Sequence, residues 1–356
     1  MGWTRTGLTG GDAATGAAAQ DAATPGAPLR RLLGFLLLAG ALVLGPPAPA
    51  GAGAPLKVRA GVLAFGTVNW ELDVIRHHGL DRKEGIALEV VGLGGKNAAA
   101  VALQGGAVDV IVTDWVWVSR RRADGADYTF VPHSMAAGGL MVRPDAGIST
   151  LADLRGRRIG VAGSAVDKSW LMLRAYAKKT LGVDLADIAE PVFAAPPLLN
   201  EILLRGDLPA VLNFWHYTAR LKARGMTELI AVADVLPALG VEARPPIIGW
   251  VFSEAWAKGN GAAIRGFLRA SLAAKRIMAT SDAEWERLRP LIRAGDEATF
   301  VALRQAYRAG LPTSFTGRDV AAAKALFKTL ADLGGPDLVG NSRTLAPGTF
   351  WSGFTF

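Results

Sequence analysis

Residues 108–118 read VDVIVTDWVWV, and SRRRADG follows at once. The run is apolar without alternation, the pattern of a strand buried on both faces, as in a parallel sheet covered by helices. It ends in an aspartate and two tryptophans. In an open α/β sheet, ligands bind outside the carboxyl ends of the strands, so Asp114 and Trp115 are expected on that edge. Two readings of Asp114 carry equal weight: it caps the helix running into SRRRADG, or it accepts from a ligand N–H. Trp115 is expected to wall a cleft. Trp117 points into the core if strand spacing persists, and onto the rim if a helix has begun.

On both sides of this stretch, strand and helix patterns alternate. LKVRAGVLA (56–64) reads as a first strand, and residues 69–85 carry Leu72, Ile75 and Leu80 at helical spacing, with a break at Gly79. IALEVVGLG (86–94) is a second strand with a glycine-rich loop after it, and NAAAVALQGGA (97–107) is a helix of small residues. YTFVPHS (128–134) is a fourth strand. Beyond GGLMVRPDAGI come a short helix capped by Ser149 or Thr150, a strand at 157–163 and a helix expected over 164–182, opened by Ser164 and closed by Gly182. A strand (190–195), a helix (196–205) and apolar material at 209–217 follow. PPIIGWVFSEAW (245–256) reads as a returning strand, and helices are expected at 260–279, 282–293, 296–309 and 317–333. This order implies an α/β fold of doubly wound lobes.

Composition agrees. The chain of 356 residues is 51% hydrophobic and 20% charged, which is globular. Arg30 and Arg31, the apolar run 32–45 and PPAPAGAGAP together read as a secretory signal peptide, cleaved after Ala50, Ala52 or Ala54. Fourteen apolar residues are too few for a comfortable membrane span. The remainder, roughly 300 residues, exceeds what one core usually supports. There is no cysteine, so disulfides, thiolate catalysis, Cys-ligated metal and a lipidated cysteine anchor are excluded. Net charge is +8, but basic and acidic residues are mixed. The run Arg120-Arg121-Arg122 is read as a solvated helix face and not as a nucleic-acid patch.

The order of these segments resembles the periplasmic solute-binding proteins of ATP-driven (ABC) importers, nearest to the nitrate/sulfonate/taurine-type group that includes thiamine-precursor binders. The likeness is carried by GLGGKNAAAVALQGGAVDVIVTD, by ISTLADLRGRRIGVAGSAVDKSWLMLRAYAKKTLGV, by DLPAVLNFWHYTARLKARG and by PPIIGWVFSEAWAKGNGAAIRGFLRASLAAKRIMATSDAEW. It implies two doubly wound α/β lobes joined by two crossover strands, the type II periplasmic binding protein fold. Lobe 1 would comprise 55–139 and 250–356 and lobe 2 would comprise 140–249, after a leader and signal peptide at 1–54. It further implies a small organic solute (a sulfonate, a carboxylate or an aromatic or heterocyclic compound) bound between the lobes and handed to a permease in the inner membrane. A monomeric periplasmic protein that uses neither nucleic acid nor a cofactor is expected. The rivals are a secreted α/β enzyme and a ligand-sensing module for another periplasmic partner.

Candidate ligand contacts follow from strand ends and helix starts. The loop AFGTVNW (64–70) offers Phe65, Thr67, Asn69 and Trp70, where Thr67 and Asn69 serve equally as caps or ligand donors. Gly95 and Lys96 follow the second strand, with Lys96 as counter-charge for an acidic solute. Met135 and Ala136 lie near the first crossing. Ser164, Ala165, Asp167 and Lys168 are expected at a helix N-terminus, where unpaired N–H groups favour anions. A serine with lysine four residues on invites a hydrolase reading, but no histidine or oxyanion loop accompanies it. In the region where the resemblance implies polar and aromatic contacts lie Asn213, Trp215 and His216, with Phe214 read as core. Trp70, Trp115, Trp117, Trp215 and Trp250 suit a flat solute body. His77 and His78, adjacent on a helix, are expected to face different directions, so no metal site is expected.

Overall fold

The computed structural model describes residues 54–356; the signal peptide expected before them lies outside the described residues. Strands β1 (Leu56–Leu63), β2 (Ile86–Leu93), β3 (Val110–Thr113) and β4 (Tyr128–Ser134) alternate with helices α1 (Val68–His77), α2 (Leu80–Lys83), α3 (Lys96–Gln104) and α4 (Trp115–Ala123). The chain then builds a second sheet from β5 (Gly139–Val142), β6 (Arg158–Ala162), β7 (Glu190–Ala194), β8 (Ala210–Asn213) and β9 (Thr227–Ala231). Between these strands run α5 (Lys168–Leu181), α6 (Leu185–Ile188), α7 (Pro196–Arg205) and α8 (Trp215–Ala223). The return strand β10 (Ile248–Ser253) leads into α9 (Glu254–Gly259), α10 (Gly261–Thr280), α11 (Asp282–Ile292), α12 (Glu297–Ala309) and α13 (Gly317–Val339).

The sheet orders are β2-β1-β3-β10-β4 and β7-β6-β8-β5-β9. In each, four strands run in the same direction and one antiparallel strand is inserted: β10 between β3 and β4, and β5 between β8 and β9. The fold is therefore the expected pair of doubly wound α/β lobes. The chain crosses between them at 135–138 and again before β10. Ladder pairing stops at Ser134 and resumes at Gly139, so the first crossing is not itself a strand. Both crossings are tied by backbone hydrogen bonds, Ile247 N–H to Ser134 O at 2.9 Å and Val232 N–H to Gly138 O at 3.0 Å. Gly138 sits so close to the end of β8 that a Cβ there would lie 1.7 Å from the Asn213 carbonyl oxygen. Only glycine fits this crossing.

Two helix boundaries differ from those expected, at the start of α5 and the end of α13. The expected break falls at Gly79, at φ 59°, which separates α1 from α2 because the left-handed conformation interrupts the hydrogen-bond ladder. Helix α5 begins at Lys168 instead of Ser164. Its N-cap is Asp167, whose Oδ1 accepts from Ser169 N–H at 2.9 Å and Trp170 N–H at 3.3 Å. Ser164 is thus upstream and exposed, since the carboxylate outcompetes it for the free N–H groups. Helix α13 continues past the expected 333 to Val339, with a kink at Gly335.

The arginine run is not merely a solvated face. Arg120 donates to Asp337 O, and Arg122 donates to Pro347 O and to Tyr128 O. These bonds hold the C-terminal segment against α4 and β4, where Trp351 N–H bonds Phe130 O and the Trp351 ring stacks edge-on against Phe252.

The core of the first lobe encloses an ionic cluster. Glu71 is fully buried and receives the Lys275 ammonium, the Ser271 hydroxyl and the Tyr307 hydroxyl. Lys275 also reaches His133 Nδ1 at 3.0 Å. Burial alone would raise the Glu71 carboxyl, but Lys275 and its hydrogen bonds bring it below the ordinary value. Burial pushes the His133 imidazole down to about 3, so it is neutral and accepts from the ammonium. Removing one member strands a buried charge. Lys275→Met is expected to cost about 3–5 kcal/mol in urea unfolding, and Glu71→Gln combined with Lys275→Met is expected to cost less than Lys275→Met alone.

Candidate functional site

The carboxyl ends of β1, β3, β6 and β8 converge on one cavity of about 390 Å³ between the two sheets. The β1–α1 loop supplies Phe65 and Thr67, the loop after β2 supplies Lys96, and the end of β3 supplies Asp114 and Trp115. From the second lobe come Asp167, Lys168, Trp215 and His216, and Ala136 and Ile247 come from the two crossings. Most of the remaining wall is apolar, including Leu93, Met172, Phe214 and, from α13, Leu326 and Leu330. Sequence reading missed the last two. Their i, i+4 spacing marks only an apolar helix face, and their place on this wall follows from α13 packing against both α4 and α5.

Asp114 does two things. Its Oδ1 accepts from Trp117 N–H at 3.0 Å and so caps α4, while Oδ2 receives Lys168 Nζ at 2.9 Å. Asp114 belongs to the first sheet's β3–α4 turn and Lys168 to the second lobe's α5, so this ion pair joins the lobes inside the cavity. Burial alone would raise the Asp114 carboxyl, but Lys168, Lys96 and the Trp117 N–H outweigh it and hold the group below its ordinary value. Lys168 is pulled down by burial and more strongly up by Asp114 and Asp167. Asp167 shows the opposite balance to Asp114: burial wins, and its carboxyl is raised. Burial, aided by Arg220, pushes His216 down to about 4, so it lines the cavity as a neutral imidazole. Its Nδ1 is buried with no hydrogen-bond partner among the described residues.

Several expected residues lie elsewhere. Asn69 does not line the cavity. Its side-chain amide donates to Leu63 O and Gly66 O, each at 2.8 Å, and braces the β1–α1 loop from within. Trp70 is buried against Trp215, Trp285 and Tyr307, with ring centroids 5.2–6.2 Å apart across the group. Gly95 precedes α3 behind Lys96, and Met135 faces a second groove on the far side of the first crossing. Ser164 and Ala165 are exposed on the β6–α5 loop. Asn213 is buried and bonded to Asn200 and to Pro196 O. Of the five tryptophans expected to meet a solute, Trp115 and Trp215 line the cavity. Trp117 packs on Tyr128, and Trp250 lies in the first core with its N–H on Ser271. Even Trp115 is mostly core, and its Nε1–H is committed to Pro246 O at 2.7 Å, which fastens the second crossing.

His77 and His78 do not diverge as expected. Their ligand nitrogens and a Glu284 carboxylate oxygen lie within 4.8 Å of one another. Glu284 Oε1, however, already accepts from Arg287 at 2.6 and 2.9 Å, and Oε2 lies 3.0 Å from His78 Nε2. A guanidinium beside the carboxylate opposes a second cation, and the group acts as a hydrogen-bonded chain tying the end of α1 to α11.

Comparison with known proteins places this geometry in a wider group. A family model described as NMT1/THI5 like matches residues 74–284, more than half of the chain. Among curated proteins none matches the sequence. In three dimensions the chain is similar to the periplasmic aliphatic sulphonate binding protein SsuA from Escherichia coli, at 20% identity and a TM-score of 0.65, covering 83% of this chain and 98% of that one. It is also similar to the alkanesulfonate-binding protein SsuA from Xanthomonas axonopodis pv. citri bound to MOPS, at 18% identity, a TM-score of 0.63 and coverages of 83% and 98%. The desulfurization enzyme DSZB shares the fold at 14% identity and a TM-score of 0.54, with coverages of 83% and 97%. At these identities the likenesses establish the fold.

The interlobe pair makes a pH-dependent prediction. Pairing lowers the Asp114 carboxyl and raises the Lys168 ammonium, so it holds the lobes together fully above about pH 4 and below about pH 10. It fades as pH falls through the lowered carboxyl or rises through the raised ammonium. Because the chain lacks cysteine, dyes can be placed on Lys83→Cys and Lys178→Cys alone. Energy transfer between them is expected to fall in Asp114→Asn at neutral pH and to recover in the charge-exchanged Asp114→Lys/Lys168→Asp protein.

Proposed function

The chain belongs to the NMT1/THI5-like family, and on that premise we propose that it is an exported solute-binding protein that captures a small organic solute between its lobes and delivers it to an ATP-driven permease. The observation that carries the reading is the cavity itself. Strand ends of both sheets and both crossings contribute to it, so its shape depends on how the lobes meet, and a bound solute stabilises one arrangement over others. A permease that recognises that arrangement distinguishes loaded from unloaded protein.

In this reading the lobes, 55–139 with 250–356 and 140–249, move as bodies about the paired crossings. Residues 1–54 direct export and are removed, leaving a monomer in the periplasm. Phe65, Thr67, Lys96, Asp114, Trp115, Ala136, Asp167, Lys168, Trp215 and His216 are the contacts. The wall favours a solute with an apolar or aromatic body, because burying such a body against rings contributes far more than any contact to a bare inorganic anion. The likeness to sulfonate-binding proteins supports an acidic group on that body, and Lys96 at the cavity lip, which makes no ion pair among the described residues, is suited to receive it.

Native mass spectrometry of freshly purified protein is expected to show a retained organic solute released on denaturation, with a mass unchanged on re-binding. Turnover of that solute would support the rival reading of an exported enzyme. Calorimetry with the recovered solute is expected to show Trp215→Ala binding on the order of tenfold to a hundredfold more weakly, as for a buried aromatic anchor.

A further inference from the structure

We propose that Arg220 is a positioning residue for solute capture: it holds α8, and with it the second lobe, against the carbonyl end of α11 in the first lobe. It thereby sets how much of the solute-free protein already stands in the capturing arrangement. The inference rests on the solute-binding reading and adds to it a residue that does not line the cavity.

Helix α8 follows directly from β8 of the second lobe, yet it packs on α12 of the first. Its first turn places Trp215 and His216 on the cavity wall. The Trp215 ring stands 6.2 Å from those of Trp70 and Tyr307 in the first lobe, and Ala219 is buried within the first lobe's core. Elsewhere the seam between α8 and α12 is lined by small residues, among them Ala223, Ala302 and Ala306, and opens into a groove. Side chains this small bury little apolar area, so packing alone holds the seam weakly.

Hydrogen bonds supply the rest. Apart from Trp115 on the second crossing, side chains bond one lobe to the other at two places among the described residues. One is the Asp114–Lys168 pair inside the cavity. The other is Arg220, which donates through Nη1 to Arg293 O at 3.3 Å and Ala294 O at 3.5 Å, and through Nη2 to Ile292 O at 3.3 Å. The last carbonyls of a helix lack partners within it and carry its partial negative charge, so they favour a cation. A guanidinium, with several donors in one plane, can serve three of them together. Arg220 forms no ion pair among the described residues, and Asp296 acts on it only at longer range. Lys222, on the same helix, is instead paired within its own lobe to Glu228.

The turn that presents these carbonyls is itself strained. Arg293 caps α11 at φ 52°, the left-handed region, where no other non-glycine residue stands among those described. Such a conformation persists where its surroundings fix it, and Arg220 bonds the strained residue and both its neighbours. A solute that meets Trp215 and His216 thus meets a wall already fastened to the opposite lobe. Without Arg220 the second lobe carries α8 away more often, and apparent affinity falls with the fraction of protein left in the capturing arrangement.

Energy transfer between dyes on Lys83→Cys and Lys178→Cys, read on single molecules freed of solute, tests the proposal. Arg220→Met keeps an aliphatic stem and removes the donors, and is expected to shift molecules from high to lower transfer. Arg220→Lys is expected to recover part of that shift. Arg220→Met joined to Asp114→Asn is expected to lose more transfer than either change alone. An unchanged thermal transition shows that the lobes have moved without unfolding; if Arg220→Met melts early, Arg220→Gln, which keeps an N–H donor without the charge, takes its place. Unchanged transfer in these variants, no recovery in Arg220→Lys, or a double variant indistinguishable from Asp114→Asn would overturn the proposal. Because transfer is read with no solute present, its outcome is separate from that of the native mass spectrometry that tests the solute-binding reading.

Discussion

β10 lies antiparallel between β3 and β4, and the rest of the structure depends on that pairing. A chain that has completed β4 and moved into the second sheet must come back to fill a place inside the first, so it crosses between the lobes twice. The crossings are thereby forced side by side, where Ile247 bonds Ser134 and Trp115 bonds Pro246. Parallel strands β1 and β3 in one sheet and β6 and β8 in the other then direct their carboxyl ends toward the same gap. The cavity is a consequence of this topology before any side chain lining it is chosen.

Within the gap, burial decides what each charge does. Asp114 and Lys168 lie on different lobes and satisfy one another, so the ion pair exists only when the lobes are together. Asp167, one residue earlier on the same turn as Lys168, gains two backbone donors but no ion-pair contact, and burial outweighs the nearby lysines, so its carboxyl is raised where that of Asp114 is lowered. The same principle operates in the core of the first lobe. There Glu71, Lys275 and neutral His133 form a cluster whose members are each tolerable only because the others are present. Two buried ionic groups thus serve different ends: one holds a lobe's interior in register, and the other registers the position of one lobe against the other.

Much of the architecture was legible in the chain. The unalternating run of β3, the helix signals around α5, α7 and α10, and the returning strand β10 gave two α/β lobes, because periodicity and end-capping are local properties that survive folding. The β3 terminus also gave Asp114 and Trp115 as cavity residues. The helix start at Asp167 was displaced from Ser164 because two good caps stand three residues apart, and which one wins depends on backbone geometry. Trp70, Trp250 and Asn213 resembled site residues by position and type, yet each faces a core. A strand end or first helical turn has an inner and an outer side, and one residue of phase separates them.

The sequence by itself determined the α/β class, the absence of any cysteine chemistry, and the strand ends and helix starts from which a site is drawn, since these rest on composition and on patterns a few residues long. Only the tertiary structure decided that Asp114 meets Lys168, that Leu326 and Leu330 wall the cavity, and that Lys96 and Asp167 share it with that pair. Those facts join residues between 54 and more than 200 positions apart, and a contact across that distance is set by how sheets and helices pack, which no local pattern encodes.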